Sequence, residues 1–584
     1  MLMGNPWFKS ILKPLRPTLR ELAVVSLFIN VLALAAPIFT LQVYDRVVFY
    51  SGMSTLQGLA IGMGIALAFD FALRQFRSKL VSRMATKIDV VVSRALFSKL
   101  LTLPLRQLEM RPASHWMALF RDIDTVRAAA SGPSAFLAAD LPFVFIFVGL
   151  SFVIAAPIAW VLLAIVAAFL LLTWRSGRVL NELNADERKA GHGRDAVVAE
   201  FAHTRTIIKA LALDKSITPV WEQAQATTIE HSVVRGASTD FYANLGVTMT
   251  LVTTVALTVV GAIAIVHQEL SVGALIACNM LSSRILSPLN QLFGTWRTYA
   301  LSRGSIQRLS ELFAVEGERT SSTVKLPRPQ GRVTVEDVTF RYGTTDAPVL
   351  DTVKLSFQSG IHLLLGRNGS GKTTLLKAIL GLYRPTSGRV LIDGADIAQF
   401  ARTDLAGWIG YVPQETTLFT GTIRDNIVKG AEDEIDDEMI VRAAKLAGLH
   451  QVVIDLPKGY STEIGEAGAL LSGGFRQRVM IARALVRDPP VVVMDEPSSN
   501  LDRQAEEDLR QGLQELAKDH TVIIATHSPV LLAAADTVAA IDRGKVLIAG
   551  PAAEVLPRLS GRPQPVPPAP PVAAPGAIAA QVGS

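Results

Sequence analysis

Six long apolar stretches constrain the fold of this 584-residue chain more than any other feature. A helix needs roughly 20 residues to cross a hydrocarbon layer about 30 Å thick. Half of the residues are hydrophobic and only 18% are charged, so stretches of that length persist. An α-helical transmembrane domain in a lipid bilayer is therefore predicted for residues 21–325, after an N-terminal segment, 1–20. The candidate spans are about 21–43, 55–73, 134–155, 157–174, 243–266 and 271–293.

Basic residues are distributed unevenly between the loops that join these spans. Loops 74–133 and 175–240 are rich in lysine and arginine, whereas the opposite loops contain only Arg46. Because cytoplasmic loops carry the excess of positive charge, both long loops and both termini are predicted to be cytoplasmic. Each long loop is rich in helix formers and is interpreted as an extension of the membrane helices beyond the lipid.

Cysteine and charge content exclude two further classes of protein. Cys278 is the single cysteine and lies in an apolar stretch, so a disulfide framework or a cysteine-based metal site is not expected. The pI of about 9.3 would suit a nucleic-acid partner. The basic residues flank apolar segments, however, where membrane orientation explains them. No nucleic-acid partner is therefore predicted.

Two features of the membrane domain concern its function: the turns of its long loops and two ionisable residues within its spans. By position, His115–Arg121 and Leu211–Lys215 are predicted to be the turns of the long loops that couple the membrane domain to a cytoplasmic partner. Asp140 and Arg284 fall within spans, where ionisable groups are costly and usually face a cavity or a partner. Two interpretations of this pair stay open: the side chains line a polar translocation path, or they only brace helices or snorkel to the membrane interface.

The sequence pattern changes after residue 325, where the long apolar stretches end. A Pro-rich linker, 326–331, precedes short β-rich runs that alternate with amphipathic helices, among them 333–335, 361–365, 491–494 and 522–525. This alternation predicts an α/β domain on a mainly parallel sheet over residues 326–556. The final residues, 557–584, are rich in proline and alanine and are predicted to be a disordered tail.

One run in this domain satisfies the phosphate-loop pattern G-x-x-x-x-G-K-[ST]. An apolar strand precedes it and a helix follows, which is the context that the motif requires. Its glycines let backbone N–H groups wrap phosphates, Lys372 reaches the β- and γ-phosphates, and Thr373 can ligate Mg²⁺. ATP and Mg²⁺ are therefore the predicted cofactors. The predicted binding residues are Gly366, Arg367, Asn368, Gly369, Ser370, Gly371, Lys372, Thr373 and Thr374.

A second apolar strand ends in Asp495-Glu496. An aspartate at a strand end beside the phosphate loop can hold Mg²⁺ through water, and an adjacent glutamate can polarise the attacking water. The ordinary alternative is a helix N-cap. The presence of the phosphate loop favours the catalytic interpretation, with Asp495 as a metal residue and Glu496 as the base.

With these motifs in order, residues 330–556 resemble the nucleotide-binding domain of ABC transporters. The resemblance implies that Tyr342 stacks on adenine and that Gln414 links Mg²⁺ to the membrane domain as a metal and catalytic residue. It also implies that Ser499–Asp502 is the D-loop and that His527 contacts the γ-phosphate.

The run LSGGFRQR, residues 471–478, resembles the family's signature LSGGQRQR, with Phe475 in place of glutamine. In the family, this signature caps ATP bound to the phosphate loop of the partner chain. The resemblance therefore implies that Ser472, Gly473 and Gly474 bind the nucleotide across a homodimer. None of the implied phosphate contacts needs the side chain at position 475.

Six spans followed by one nucleotide-binding domain (the cassette, residues 326–556) resemble the arrangement of ABC exporters. The cargoes of these exporters differ widely. The runs Gln42–Val47 and Asp140–Phe143, and the stretch 273–291, are similar to blocks of type I secretion ATPases, particularly the subgroup without an N-terminal peptidase-like domain. This resemblance implies ATP-driven export of an unfolded protein across the bacterial inner membrane, with a periplasmic adaptor and an outer-membrane channel as partners. Export of a lipid, peptide or drug, and a non-transporting ATPase sensor, remain the alternatives.

Overall fold

The computed structural model describes residues 13–48, 50–322, 327–343, 346–431 and 435–559. The chain divides into two compact units. One comprises the residues up to Leu101 together with Arg111–Glu316, and the other comprises Thr102–Met110 together with the residues from Gly317 onward. The first twelve residues and residues 560–584 lie outside the described part of the chain. The predicted disordered tail starts at residue 557, but residues 557–559 are helical and end the helix Ala552–Leu559.

The first unit is built of long helices. Within the described residues, five helical segments are long and apolar enough to cross a membrane. The third predicted span lies in a helix whose apolar part is the shorter Ala139–Ile154. The described helices up to residue 314 are α1 (Arg16–Leu32), α2 (Ala35–Gln42), α3 (Met53–Leu101), α4 (Leu105–Glu109), α5 (Ala113–Ala129), α6 (Gly132–Ile154), α7 (Ala156–Ala210), α8 (Asp214–Val266) and α9 (Val272–Ala314). Of these, α4 belongs to the second unit.

The long loops are helical extensions of the predicted spans. Helices α3, α7 and α8 contain 49, 55 and 53 residues, more than twice the length that a membrane requires. Leu211–Lys215 lies at the turn between α7 and α8, where Ala212 has a left-handed φ of 50°. The prediction that His115–Arg121 is a turn is wrong, because these residues lie inside α5. The segment that breaks the helical path is Thr102–Met110, where Pro104 precedes α4.

Asp140 is part of a polar cluster that joins three helices of the membrane unit. Its carboxylate accepts hydrogen bonds from Arg77 Nη1 at 2.8 and 3.0 Å and from Asn30 Nδ2 at 3.0 Å. The side chain of Arg77 is only 8% exposed, and its guanidinium lies 4.6 Å from the ring centre of Phe136. These contacts favour the brace interpretation for Asp140, because its charge is already paired. Arg284 is exposed.

A π-helical segment, Val43–Val48, ends the first span and carries Asp45. The Asp45 carboxylate accepts hydrogen bonds from Ser271 Oγ at 2.6 Å and from the backbone N–H of Gly273 at 3.0 Å. A Cβ at Gly273 would lie 2.5 Å from Asp45 Oδ1 and 2.9 Å from the Leu41 carbonyl oxygen, so only glycine fits. The carboxylate thus sits at the N-terminus of α9, where negative charge is favoured.

The described residues of the second unit form two sheets. A six-stranded sheet has the order β10-β9-β3-β8-β7-β6 and is parallel except for β10. A separate antiparallel sheet has the order β2-β1-β4-β5, so the predicted run 333–335 is not part of the parallel sheet. The strands are β1 (Val333–Phe340), β2 (Leu350–Phe357), β3 (Gly360–Leu365), β4 (Ser387–Ile392), β5 (Ala395–Asp396), β6 (Ile409–Val412), β7 (Val491–Asp495), β8 (Thr521–Ala525), β9 (Thr537–Asp542) and β10 (Lys545–Pro551).

Alternation along the central strands builds a core on each face of the parallel sheet. Val491 and Val493 pack into the cluster shared with the antiparallel sheet, whereas Val492 and Met494 pack into the cluster on the opposite face. The helices of this unit after α4 are α10 (Lys372–Ile379), α11 (Arg402–Trp408), α12 (Ile423–Ile427), α13 (Asp437–Leu446), α14 (His450–Ile454), α15 (Gly473–Leu485), α16 (Arg503–Leu516), α17 (Pro529–Leu532) and α18 (Ala552–Leu559).

Candidate functional site

The predicted phosphate loop connects β3 to α10. Gly366, Gly369 and Gly371 have φ values of 155°, 78° and 105°, in the region that side chains rarely adopt. A Cβ at Gly366 would lie 2.1 Å from the Ile541 carbonyl oxygen, so the loop also depends on glycine sterically. The loop ends at the N-terminus of α10, where backbone N–H groups favour anions.

Lys372, the first residue of α10, points back into the loop. Its Nζ donates to the carbonyl oxygen of Gly366 at 2.5 Å and to that of Arg367 at 3.3 Å. Burial lowers the pKa of Lys372, and the nearby carboxylates of Glu496 and Asp495 oppose this shift. The ammonium group is therefore held at the loop by carbonyl oxygens and carboxylates.

Asp495 ends β7 beside the loop and is only 1% exposed. Burial raises the pKa of its carboxyl group, while a hydrogen bond with Thr373 and the charge of Lys372 lower it. Among the described residues, neither Asp495 Oδ2 nor Ser370 Oγ has a hydrogen-bond partner, although both atoms are buried. A carboxylate oxygen left unpaired next to a threonine hydroxyl fits a Mg²⁺ site, because hard cations prefer such oxygen ligands.

Glu496 and His527 also lie near Lys372. Glu496 has a left-handed φ of 47°, and its backbone N–H donates to the Ala525 carbonyl oxygen at 2.8 Å. This strained conformation holds the side chain beyond the end of β7. His527 Nε2 lies 3.9 Å from Glu496 Oε1 and 3.4 Å from Lys372 Nζ.

A cleft of about 530 Å³ collects most of the predicted residues. Tyr342 and Gln414, which are far apart in sequence, both line it. It brings the aromatic ring, the phosphate loop and the carboxylates together, which gives one place each for a base, phosphates and a metal ion. The cleft is lined by Tyr342, Val349, Asn368, Gly369, Ser370, Gly371, Lys372, Thr373, Thr374, Gln414, Asp495 and Glu496.

The signature residues do not line this cleft. Ser472 is the N-cap of α15, and its Oγ accepts the backbone N–H of Phe475 at 3.3 Å. A Cβ at Gly474 would lie 2.8 Å from the carbonyl oxygen of Asn500, so the signature packs tightly on the D-loop of its own chain. The Phe475 ring packs, partly buried, against the apolar core around α15.

Sequence reasoning missed the aromatic support of Tyr342. Tyr383 is 2% exposed and stacks on Phe340 with ring centres 4.9 Å apart. Tyr342 makes edge contacts with both rings, at 5.3 Å to Phe340 and 5.9 Å to Tyr383. No pattern in the sequence links Tyr383 to this site, because it follows α10 and only folding brings it to β1.

Comparison with known proteins agrees with this geometry. Residues 20–289 match the ABC transporter transmembrane region, and residues 350–499 match the ABC transporter domain. The leukotoxin translocation ATP-binding protein LktB of Mannheimia haemolytica is 31% identical over 557 residues, which cover 95% of this chain and 78% of LktB. This chain belongs to the ABC transporter family.

Two further similarities agree with this assignment. The toxin RTX-I translocation ATP-binding protein of Actinobacillus pleuropneumoniae is 32% identical over 553 residues, covering 94% of this chain and 78% of that protein. A bacterial Atm1-family ABC exporter with ATP bound has the same fold, with a TM-score of 0.81 and 24% identity over 93% of this chain and 97% of the exporter. The chain is a multi-pass membrane protein whose ATP-binding domain hydrolyses ATP to drive transport.

Proposed function

We propose that this transporter exports an unfolded protein across the bacterial inner membrane as the ABC component of a type I secretion system. The observation that carries the proposal is similarity to toxin translocation ATP-binding proteins along 94–95% of the chain, membrane unit included. A periplasmic adaptor and an outer-membrane channel complete the path for the secreted protein. Both chain termini lie in the cytoplasm, in accord with the basic long loops.

The residues in and beside the cleft have separate roles in hydrolysis. Tyr342 stacks on the adenine, and the loop N–H groups with Lys372 hold the phosphates. Mg²⁺, when bound, neutralises charge on the β- and γ-phosphates, and the oxygens of Thr373, Gln414 and Asp495 are available to hold it. Glu496 orients and polarises the attacking water, and His527 contacts the γ-phosphate from beside Lys372.

The site is completed in a homodimer. Ser472, Gly473 and Gly474 are absent from the lining of their own chain's cleft, yet they form an N-terminal helix turn suited to phosphate. Two chains facing each other would place each signature against the other's phosphate loop. Because a twofold interface uses the same surface of both chains, closing the dimer forms two equivalent composite sites.

The test of this proposal is Glu496→Gln in the full chain. Removing the carboxylate leaves the binding residues in place, so we expect retained ATP binding, dimers stable in ATP, and hydrolysis reduced by at least about 100-fold. The matched control is Glu515→Gln, a carboxylate on α16 outside the cleft.

Export is measured by comparing the secreted proteins of the parent strain, a strain that lacks the transporter and one that carries Glu496→Gln. We expect the same secreted protein to be missing from the last two strains, and an adaptor to co-purify with the transporter. An unchanged set of secreted proteins, with a lipid, peptide or drug accumulating inside the cells instead, would refute protein export.

A further inference from the structure

The short helix α4 contacts the cassette through its last residue, Glu109. The Glu109 carboxylate accepts a hydrogen bond from Lys377 Nζ at 2.8 Å and another from the hydroxyl of Tyr383. Lys377 lies on α10, the helix that begins at the phosphate-loop Lys372. Glu109 therefore ties α4 both to the phosphate-loop helix and to an aromatic residue behind the cleft.

Tyr383 contacts both Glu109 and Tyr342, the residue proposed to stack on adenine. It is almost fully buried, lies parallel to Phe340 with an interplanar angle of 5°, and meets Tyr342 edge-on at 86°. Aromatic rings in such contacts restrict one another's orientation. The position of Tyr342 therefore depends on where Tyr383 is held.

A second contact from α4 reaches Tyr342 directly. Arg106 Nη2 donates a hydrogen bond to the backbone carbonyl oxygen of Tyr342, and its guanidinium lies 6.0 Å from the ring centre of Phe340. The helix thus contacts the aromatic cluster (Phe340, Tyr342 and Tyr383) at two points one helical turn apart.

The Tyr383 hydroxyl is suited to donate a hydrogen bond to the Glu109 carboxylate. Burial raises the pKa of Tyr383, and the hydrogen bond to Glu109 raises it further. The phenol therefore stays protonated at physiological pH and donates to the carboxylate. Lys377 Nζ lies 3.5 Å from the same hydroxyl oxygen, which keeps the three polar groups together.

We propose that Glu109 is a positioning residue of the ATP site: through Tyr383 it holds the aromatic cluster in the geometry that receives adenine. This inference rests on the proposed role of Tyr342. Glu109 touches neither the nucleotide pocket nor the reacting atoms, so its contribution is to ATP affinity rather than to the chemical step. Because linkage is reciprocal, bound ATP strengthens the contact of α4 with the cassette.

The experiment measures ATP hydrolysis by the full chain in lipid nanodiscs over a range of ATP concentrations. We expect Glu109→Ala to raise KM for ATP about fivefold, at the low end of measured coupling between linked sites, with kcat changed less than about twofold. Tyr383→Phe, which keeps the stacked ring and removes only the hydroxyl, should raise KM in the same direction. Gln107→Ala, on the exposed face of α4, is the matched control and should change neither constant.

Two further variants separate the possible outcomes. The double variant Glu109→Ala with Tyr383→Phe should raise KM no more than the larger single effect, because both changes break one contact. Tyr342→Ala should raise KM more than either. If Tyr342→Ala raises KM while Glu109→Ala and Tyr383→Phe leave it unchanged, or lower kcat alone, the positioning role is refuted and the adenine role stands. If Tyr342→Ala leaves KM unchanged, both roles are refuted.

Discussion

Replacing Phe475 with glutamine tests whether ATP hydrolysis depends on the side chain at this position of the signature or only on its backbone. Phe475 donates its backbone N–H to Ser472 Oγ, and its ring packs partly buried against the apolar core around α15. Glutamine keeps the backbone contact and removes the ring. Burial of a whole phenylalanine side chain stabilises by about 1.5–3 kcal/mol, so a half-buried ring contributes about 1 kcal/mol.

The expected effect on hydrolysis is much smaller. No phosphate contact of the proposed signature uses the ring, so turnover at saturating ATP should change less than about twofold, which corresponds to about 0.4 kcal/mol in the barrier. The neighbouring Gly474→Ala is the contrast. Its Cβ would lie 2.8 Å from the Asn500 carbonyl oxygen, so the D-loop must shift by several tenths of an ångström. Misplacement on that scale should reduce turnover more than about tenfold.

Both variants are compared as full chains in nanodiscs, with denaturation for stability and phosphate release for turnover. A Phe475→Gln protein that hydrolyses ATP ten times faster than the parent would refute the reasoning, because the ring would then be suppressing a site that it does not touch. A Gly474→Ala protein with unchanged turnover would equally contradict the tight packing of the signature on the D-loop.

Three further predictions concern other parts of the chain. Gly273→Ala forces a Cβ against Asp45 and should cost about 1–3 kcal/mol by overpacking, measured by thermal unfolding in detergent. Arg77→Ala leaves the Asp140 carboxylate without its cation and should cost about 3 kcal/mol, with Asp140→Asn restoring part of the loss. The raised pKa of Asp495 means that the protonated form favours the fold and that stability falls as pH rises through that pKa. Asp495→Asn should therefore raise the melting temperature of nucleotide-free protein at pH 7.5 but not in acid, and should abolish Mg²⁺-dependent hydrolysis.

The helical spans and the phosphate loop could be predicted because their signals are local. An apolar run of about 20 residues has few alternatives to a membrane helix. A glycine loop between a strand and a helix carries its own backbone requirement, which Gly366 and Gly371 confirm with their positive φ values. The residues Asp495 and Glu496 follow the same logic, since a strand end beside the loop places them by chain direction alone.

Other features depended on contacts that the sequence does not encode locally. The chain alternates strands and helices in the same way whether or not β1 joins the parallel sheet, and only packing separates the two sheets. The turn expected at His115–Arg121 was displaced to Thr102–Met110, because the helical pattern of α5 continues through the predicted turn.

By itself, the sequence determined that this chain spans a membrane, binds a nucleoside triphosphate and orders its motifs as an ABC transporter does. Those properties follow from short-range periodicity, steric freedom and residue chemistry. The tertiary structure alone decided that Glu109 meets Lys377, 268 residues away, and that Tyr383 stands behind Tyr342. It also paired Asp140 with Arg77. Such pairs form only when separately folded elements pack, because their geometry depends on the whole core rather than on any neighbouring residue.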